Sequence, residues 1–209
     1  MPIPADFATR TLKWKHVNAA ELMRIYKTPS GYHPLPVYYG KKGVYRFDCP
    51  AVGTGYNFGV LYAAFDLETC FAEAITREKN YKNFQHGGIY LSKSTDIMNR
   101  SVANLKAEIE LKLADLTDVG LYQLGAEAGE FHSKDYVTNT QPWALEIYRR
   151  PENVDGILYV SRFLNGRKAV AIFDRGGART SLEVSSSKHL IDHEGYRNTL
   201  DCLSISLFP

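Results

Sequence analysis

The alternation of apolar and polar residues is clearest between residues 44 and 75, where it predicts strand, glycine-rich loop, strand and helix. Val44–Phe47 is short, β-branched and aromatic, which is typical of a strand end. Glycines interrupt the following loop, and Val60–Phe65 is an apolar run of strand length. Asp66 then stands at the N-cap of a predicted helix, in which apolar residues recur at helical spacing as far as Ile75.

Shorter apolar runs predict further strands and helices on both sides of this stretch. The predicted strands are Leu22–Tyr26, Gly88–Ser92, Gly156–Arg162 and Ala169–Asp174, and Asn165-Gly166 signals a hairpin between the last two. Thr140–Arg150 predicts a helix with Pro142 tolerated in its first turn, and Leu121–Ala128 predicts a short one.

The run from Ile109 to Leu116 fits either a strand or a helix. The spacing of residues 109, 111 and 113 favours a strand that leads into a turn at Asp115–Asp118. Strands and helices in this mixed order predict an α+β fold, with helices packed against one or two sheets.

The length of 209 residues allows one sizeable core and predicts one domain. Residues 1–20 are mixed and polar, so we interpret them as an N-terminal arm or a short helix. The folded domain is expected over residues 21–209.

The amino-acid composition limits the kinds of molecule that the protein is expected to bind. A hydrophobic fraction of 44% and a charged fraction of 23% are typical of a soluble globular protein. With 25 Lys+Arg against 23 Asp+Glu, nothing favours direct binding of nucleic acid. The chain has 3 cysteines and no CxxC pair, and no apolar run approaches a signal sequence or a membrane span. A cytoplasmic protein that does not enter membranes is therefore expected.

Several familiar catalytic motifs are missing from the sequence. It contains no P-loop and no GxSxG, and Gly53-Thr54-Gly55 precedes a strand instead of opening a helix, unlike a dinucleotide fingerprint. His189 and His193 are spaced to meet on a helix, but the remainder of a zinc motif is lacking. We therefore expect no metal cofactor.

The residues that remain as candidates for chemistry are Arg24, Arg46, Tyr62, Glu73 and Ser161. Guanidinium groups match the geometry of pyrophosphate oxygens, and a tyrosine offers a flat face to a heteroaromatic ring. A glutamate can stabilise a cationic sugar transition state or accept a hydrogen bond from a ribose hydroxyl. A serine at a strand end can donate to phosphate or ribose. This set suits a dinucleotide whose glycosidic bond is broken.

Each candidate also has a purely structural interpretation. Arg24 and Arg46 would suit exposed strand positions in ion pairs, and Tyr62 would suit the core of its apolar strand. Glu73 would suit a solvent-facing helix position, and Ser161 an ordinary strand position. Spacing alone leaves these interpretations open.

Several segments, taken together and in this order, resemble the RES domain family, which is named for its Arg, Glu and Ser. They are Arg24–Tyr26, Tyr45–Asp48, Gly59–Ala63 with Glu73 in the next helix, and Asp155–Arg162 followed by Ala169–Asp174. The resemblance implies a fold like that of ADP-ribosyltransferases and a toxin of a toxin–antitoxin pair that consumes NAD. The implied partner is an antitoxin with a helix-turn-helix DNA-binding domain.

The resemblance also implies a role for each candidate residue. Arg24 and Arg46 would bind the NAD phosphates or an incoming inorganic phosphate, and Tyr62 would stack on the nicotinamide side. Glu73 would stabilise the ribosyl cation, while Ser161 would position ribose or phosphate.

Different reactions remain open under this resemblance. NAD would be cleaved by phosphorolysis or hydrolysis, or the chain would be a mono-ADP-ribosyltransferase that modifies a protein. A module that binds a nucleotide without catalysis is the alternative from another class. The segment between Glu73 and Ser161 is longer than in compact RES members, so residues 92–135 are expected to hold an insertion.

Overall fold

The computed structural model describes residues 3–28, 37, 39–40, 43–50, 55–76 and 90–208. Its strands are β1 (Trp14–Val17), β2 (Met23–Lys27), β3 (Val60–Ala64), β4 (Tyr90–Lys93), β5 (Arg100–Lys106), β6 (Leu111–Leu116), β7 (Gly156–Val160), β8 (Lys168–Phe173), β9 (Glu183–His189) and β10 (Ile205–Phe208). Its α-helices are α1 (Leu67–Ala74), α2 (Ser94–Met98), α3 (Asp118–Leu124), α4 (Ala128–His132), α5 (Gln141–Arg149), α6 (Gly176–Ser181) and α7 (Tyr196–Cys202). Short 3₁₀ turns cover Phe7–Thr9, Ala19–Glu21 and Leu190–Asp192, and a π-helical turn covers Tyr136–Thr140.

The main sheet has 8 strands in the order β1-β6-β7-β8-β3-β2-β5-β9. β6 and β7 run parallel, whereas the other neighbouring pairs are antiparallel. β4 and β10 form a separate parallel pair. This mixed sheet with packed helices confirms the predicted α+β class. In the described part of the chain, no helix is long and apolar enough to cross a membrane.

The two faces of the sheet pack against separate apolar cores. In β3, Val60 and Ala64 point to the first core, and Leu61 and Ala63 point to the second. The first core holds the largest fully buried aromatic side chains, Trp143, Phe47, Phe71 and Phe173. Because Phe71 belongs to α1, this helix lies on the first-core face of the sheet.

The start of α1 agrees with the prediction from sequence. The Asp66 carboxylate accepts hydrogen bonds from the main-chain N of Thr69 at 2.7 Å and from its Oγ1 at 2.7 Å. Such a cap satisfies a main-chain donor that the first helical turn leaves without a partner. The helix therefore starts at a defined residue directly after β3.

The join between β2 and β3 is narrow. These strands pair only through Met23 and Ala64, whereas β3 pairs with β8 along its whole length. The thiol of Cys70, in α1, donates to the main-chain oxygen of Met23 at 3.1 Å. The helix thus packs across the join between the two parts of the sheet.

The prediction of a strand over Val44–Phe47 is wrong, because residues 43–48 form turns. β-branched and aromatic residues favoured a strand, but Asp48 accepts hydrogen bonds from the main chain of Val44 and Tyr45. Side chains, not a neighbouring strand, satisfy the main-chain donors here.

The N-terminal segment also differs from expectation. Residues 1–20 were interpreted as an arm or short helix, but Trp14–Val17 forms edge strand β1, paired with β6. The predicted helix over Leu121–Ala128 is two helices, α3 and α4, since Gly125 adopts a left-handed φ of 72° and ends the first.

Other predictions are confirmed with small shifts at element ends. Leu111–Leu116 is a strand, the helix near residue 140 covers Gln141–Arg149, and β7 and β8 form the predicted antiparallel hairpin. Of the predicted strand Gly88–Ser92, residues 88 and 89 lie outside the described residues, and β4 begins at Tyr90.

Replacing Gly156 with alanine should destabilise the fold. A Cβ at this position in β7 would lie 2.3 Å from the main-chain oxygen of Ala171 and 2.9 Å from Cα of Ile172. Since both atoms belong to the main chain of β8, we expect the free energy of unfolding to fall by about 1–3 kcal/mol in urea denaturation. Gly129→Ala is the control, because a Cβ there meets no atom within 4 Å. Equal stability of the two variants would contradict this account of the hairpin.

Candidate functional site

Arg46 lies in a turn whose main chain is held by one side chain of the same turn and by another from a distant part of the chain. Asp48 accepts hydrogen bonds from the main-chain N of Val44 at 3.1 Å and of Tyr45 at 2.7 Å. Gln141, at the start of α5, donates from Nε2 to the main-chain oxygen of Tyr45 at 3.0 Å. The position of Arg46 is therefore set by contacts on both sides of it in the chain.

Tyr62 supports the same turn from β3. Its hydroxyl accepts a hydrogen bond from the main-chain N of Phe47 at 2.8 Å and donates to Asp48 Oδ1 at 3.0 Å. Burial, and then the negative charge of Asp48, raise the pKa of Tyr62 well above its ordinary value. The hydroxyl therefore stays protonated at neutral pH and acts as a structural bridge.

The Arg46 side chain is buried, with 4% of its surface exposed. Its Nη2 donates to the main-chain oxygen of Phe131, and its Cζ lies 4.9 Å from the ring centroid of Tyr159. Nε and Nη1 are buried and have no hydrogen-bond partner among the described residues. Within the same residues, no carboxylate lies at ion-pair distance from this guanidinium.

Burial lowers the pKa of Arg46, since a charge away from water is disfavoured, and nearby Arg162 lowers it further. Tyr159 and Glu73 raise it. An arginine stays charged at neutral pH even when buried, so the site holds a cation whose desolvation the protein only partly offsets. Such a site is suited to an anionic ligand.

Glu73 and Ser161 meet directly. Ser161 Oγ donates to Glu73 Oε1 at 2.8 Å, and the main-chain N of Arg162 donates to the same oxygen at 3.3 Å. Ser161 is completely buried, and its Oγ accepts hydrogen bonds from the main-chain N of Phe163 and of Leu164. These bonds fix one oxygen of the carboxylate at the end of β7.

The structure therefore brings together Arg46, Glu73 and Ser161 from the residues predicted as a site. Glu73 raises the pKa of Arg46, as a neighbouring negative charge does. Arg46 comes from the turn before β3, Glu73 from α1, and Ser161 from the end of β7. A carboxylate held in place beside a buried cation can stabilise a developing positive charge while an anion is bound nearby.

Arg24 comes from β2 and interacts electrostatically with Cys70 of α1. Alternation along β2 places it on the opposite face from Met23 and Ile25, which pack against the first core. Burial lowers the pKa of Arg24 to about 10, and Cys70 is the neighbour that most opposes this shift, with Tyr39 also contributing. The assignment of Arg24 to NAD phosphates stays a prediction.

The predicted stacking role of Tyr62 also stays a prediction. Its ring is partly buried against the first core and meets the ring of Tyr45 edge to face, with centroids 6.0 Å apart. The structure assigns its hydroxyl to the turn that carries Arg46, a structural role that the sequence did not suggest.

Two residues near the site were not singled out from the sequence. His132 is half-buried at the end of α4, and burial together with Arg46 and Arg162 lowers its pKa, while Glu73 raises it. His132 is therefore neutral at pH 7. The side chain of Arg162 donates from Nη1 to the main-chain oxygen of Ser133 at 3.2 Å.

The sequence contains a feature that points to Arg162 but none that points to His132. Arg162 directly follows Ser161 and belongs to one of the segments that carry the family resemblance, so its position was a usable hint. His132 lies in a stretch without a motif, and only the fold brings it near Glu73. Among the described residues, no group of three or more His, Cys, Asp or Glu is arranged to hold a metal ion.

Comparison with known proteins adds a family and a structural relative. A family model described as RES domain matches residues 21–192. No curated protein matches the sequence. The crystal structure of the M. tuberculosis MbcT-MbcA toxin-antitoxin complex contains a chain with a similar fold, with a TM-score of 0.53 and 12% identity. The match covers 90% of the present chain and 93% of the matched chain, and at this identity it shows a shared fold.

Tyr62→Phe should destabilise the protein although the ring is retained. The change leaves the Phe47 main-chain N without its acceptor and removes a donor from Asp48. We expect the free energy of unfolding to fall by about 1–3 kcal/mol, measured by urea denaturation. Tyr122→Phe is the control, because this tyrosine is 82% exposed. Unchanged stability of Tyr62→Phe would mean that the hydroxyl does not hold the turn.

Proposed function

The chain belongs to the RES domain family, and we propose that it is a toxin that degrades NAD by cleaving the nicotinamide–ribose bond. The single observation that best supports this proposal is the buried guanidinium of Arg46 beside the oriented carboxylate of Glu73. An unpaired buried cation fits phosphate oxygens, and a fixed carboxylate fits a cationic sugar. NAD supplies both groups in one molecule.

The proposed reaction begins with cleavage of the bond between nicotinamide and C1 of the ribose. The bonding electron pair leaves with nicotinamide, which becomes neutral, and positive charge develops on the ribose ring. Glu73 stabilises this charge electrostatically. An oxygen of inorganic phosphate or of water then bonds to C1, giving ADP-ribose 1″-phosphate in the first case and ADP-ribose with a released proton in the second.

The orientation of Glu73 is part of this mechanism. Ser161 Oγ and the main-chain N of Arg162 hold Oε1, so the carboxylate is in place before substrate arrives. Preorganised groups of this kind stabilise a transition state without rearranging during the reaction. Ser161 is then a positioning residue, and the more direct contact with ribose or phosphate that the family resemblance implies stays a prediction.

Arg46 is proposed to bind phosphate oxygens of NAD or of the incoming phosphate. Tyr62 and Arg24 keep the roles that the family resemblance implies, stacking on the nicotinamide side and binding phosphate. The chain needs no resident cofactor for this chemistry, because NAD is the substrate and both acceptors are common solutes. We place the reaction in the cytoplasm, where NAD is available.

The proposed partner is an antitoxin. The similar chain of known structure belongs to a toxin-antitoxin complex, and the family resemblance implies an antitoxin with a helix-turn-helix DNA-binding domain. An antitoxin that covers the site would keep NAD out. Direct contact with nucleic acid would then be made by the antitoxin and not by this chain.

Incubation of the purified protein with NAD tests the proposed reaction and its alternatives. Release of nicotinamide together with ADP-ribose 1″-phosphate or ADP-ribose is the expected outcome, and omission of phosphate identifies the acceptor. Label transferred from NAD to a protein of added cell extract would instead identify a mono-ADP-ribosyltransferase. Intact NAD would identify a module that only binds the nucleotide.

Glu73→Gln should remove most of the activity because it removes charge and hardly changes shape. We expect kcat to fall about 10²–10³-fold, with a smaller effect on KM, since the carboxylate acts mainly in the transition state. The measurement is steady-state NAD cleavage, with a thermal melt to verify folding. Glu68→Gln, five residues earlier on α1, is the matched control. A folded Glu73→Gln variant with unchanged kcat would remove the glutamate from the mechanism.

Expression of the chain without an antitoxin should slow bacterial growth and lower cellular NAD. The expected cause is enzymatic, so the Glu73→Gln variant expressed to the same level should restore both growth and NAD. Growth and NAD are measured together over the hours after induction. Undiminished NAD with verified expression of folded wild-type protein would contradict the proposal.

A further inference from the structure

Arg162 has the contacts of a second anion-binding residue. Its main-chain N is bound to Glu73, and its guanidinium donates to the main-chain oxygen of Ser133. The Cζ atom lies 4.8 Å from the ring centroid of Phe163 and 5.6 Å from that of Tyr136. These contacts hold the guanidinium in place without neutralising it, because a carbonyl oxygen and an aromatic ring carry no net charge.

Arg46 also donates to a main-chain oxygen near the end of α4. Its Nη2 donates to the main-chain oxygen of Phe131, two residues before the carbonyl that Arg162 contacts. Two guanidinium groups are therefore bound to main-chain oxygens at the C-terminal end of α4, one to Phe131 in the helix and one to Ser133 directly after it. His132, between those two carbonyls in the chain, interacts electrostatically with both arginines and with Glu73.

Among Arg46, Arg162, Glu73 and His132, positive charge exceeds negative charge, and the nearby buried carboxylate of Asp48 is bound to the main chain of Val44 and Tyr45 and to Tyr62. Arg46 and Arg162 carry two positive charges, Glu73 carries one negative charge, and His132 is neutral at pH 7. In the described part of the chain, neither arginine has a carboxylate within ion-pair distance. Nε and Nη1 of the buried Arg46 are without a hydrogen-bond partner among the same residues. A bound anion would supply both the missing charge and the missing acceptors.

We propose that Arg162 and Arg46 together form the binding site for phosphate oxygens next to Glu73. This inference rests on the proposed function for the identity of the ligand, which is inorganic phosphate as acceptor or the diphosphate of NAD. Arg162 adds to the phosphate-binding residues that the family resemblance implies, and unlike Arg24 it has a main-chain N bound to Glu73. The site thus uses a residue adjacent to Ser161 in the chain.

Direct binding measurements test the site independently of NAD cleavage. Isothermal titration with inorganic phosphate and, separately, with ADP probes the two sources of phosphate oxygens, since ADP carries a diphosphate but no nicotinamide riboside. Arg162→Gln should weaken binding of at least one probe about 10–100-fold, because charge-assisted hydrogen bonds to the anion are lost. Arg179→Gln, which removes an exposed arginine of α6, is the control and should change binding less than about twofold.

The pattern of losses identifies the ligand. Weakening with inorganic phosphate alone assigns the site to the acceptor, weakening with ADP alone assigns it to the diphosphate of NAD, and weakening with both shows that the two share it. Arg162→Lys provides a second variant if Arg162→Gln fails to fold. Arg162→Met serves as the neutral variant for comparison. Because Arg162→Lys keeps the charge, it should bind the probes more tightly than a folded Arg162→Met protein.

Two results would overturn the inference. One is equal binding of both probes by the wild type and by a folded variant without charge at residue 162. The other is a wild-type protein that binds neither probe at millimolar concentration. The wild type could leave NAD intact while the Arg162→Gln variant binds phosphate more weakly than the wild type does. In that case the proposed function fails, but the proposed anion site stands.

Discussion

Burial of the Arg46 charge is the constraint on which the rest of the site depends. A guanidinium that is almost completely removed from water is unfavourable unless polar or aromatic groups surround it. Here the Phe131 carbonyl oxygen and the Tyr159 ring take part of that role, and two nitrogens remain without a partner among the described residues. The protein therefore keeps an incompletely compensated buried charge at a place where a negatively charged ligand would stabilise it.

The sheet provides the rigid frame that this arrangement requires. Alternation in β3 turns Tyr62 toward the first core, where its hydroxyl supports the turn around Arg46. The Asp66 cap starts α1 immediately after β3, which sets the distance from that strand to Glu73. Ser161 directly follows β7 and is hydrogen-bonded to Glu73. Secondary-structure elements thus position each side chain, although Arg46 itself lies in a turn.

The sequence predicted those features that depend on local patterns. Asp66 as a cap, α1 as a helix carrying Glu73 and the hairpin of β7 and β8 each follow from neighbouring residues. The turn over residues 43–48 was mistaken for a strand because its stability comes from Asp48, Tyr62 and Gln141, two of which are distant in the chain. Local composition carries no information about such partners.

The site residues also differ in whether the sequence could identify them. Glu73 and Ser161 were found through the resemblance to a family, and their direct hydrogen bond makes them neighbours in space. His132 was missed because its surroundings are created by residues far away in the chain. The position of Arg24 across the sheet from the first core was also hidden, since strand alternation becomes informative only when the two cores are known.

The long sequence separations within the site have a consequence for protein synthesis. Glu73 and Ser161 are 88 residues apart, and Arg46 and Phe131 are 85 apart. A chain is synthesised from its N-terminus, so a growing chain contains Arg46 and Glu73 long before their partners Phe131 and Ser161 have been made. An unfinished chain that lacks β7 has no donor from residues 161 and 162 to orient Glu73. The site is therefore assembled only when most of the chain has been translated, and fragments that lack residues 161 and 162 cannot form it.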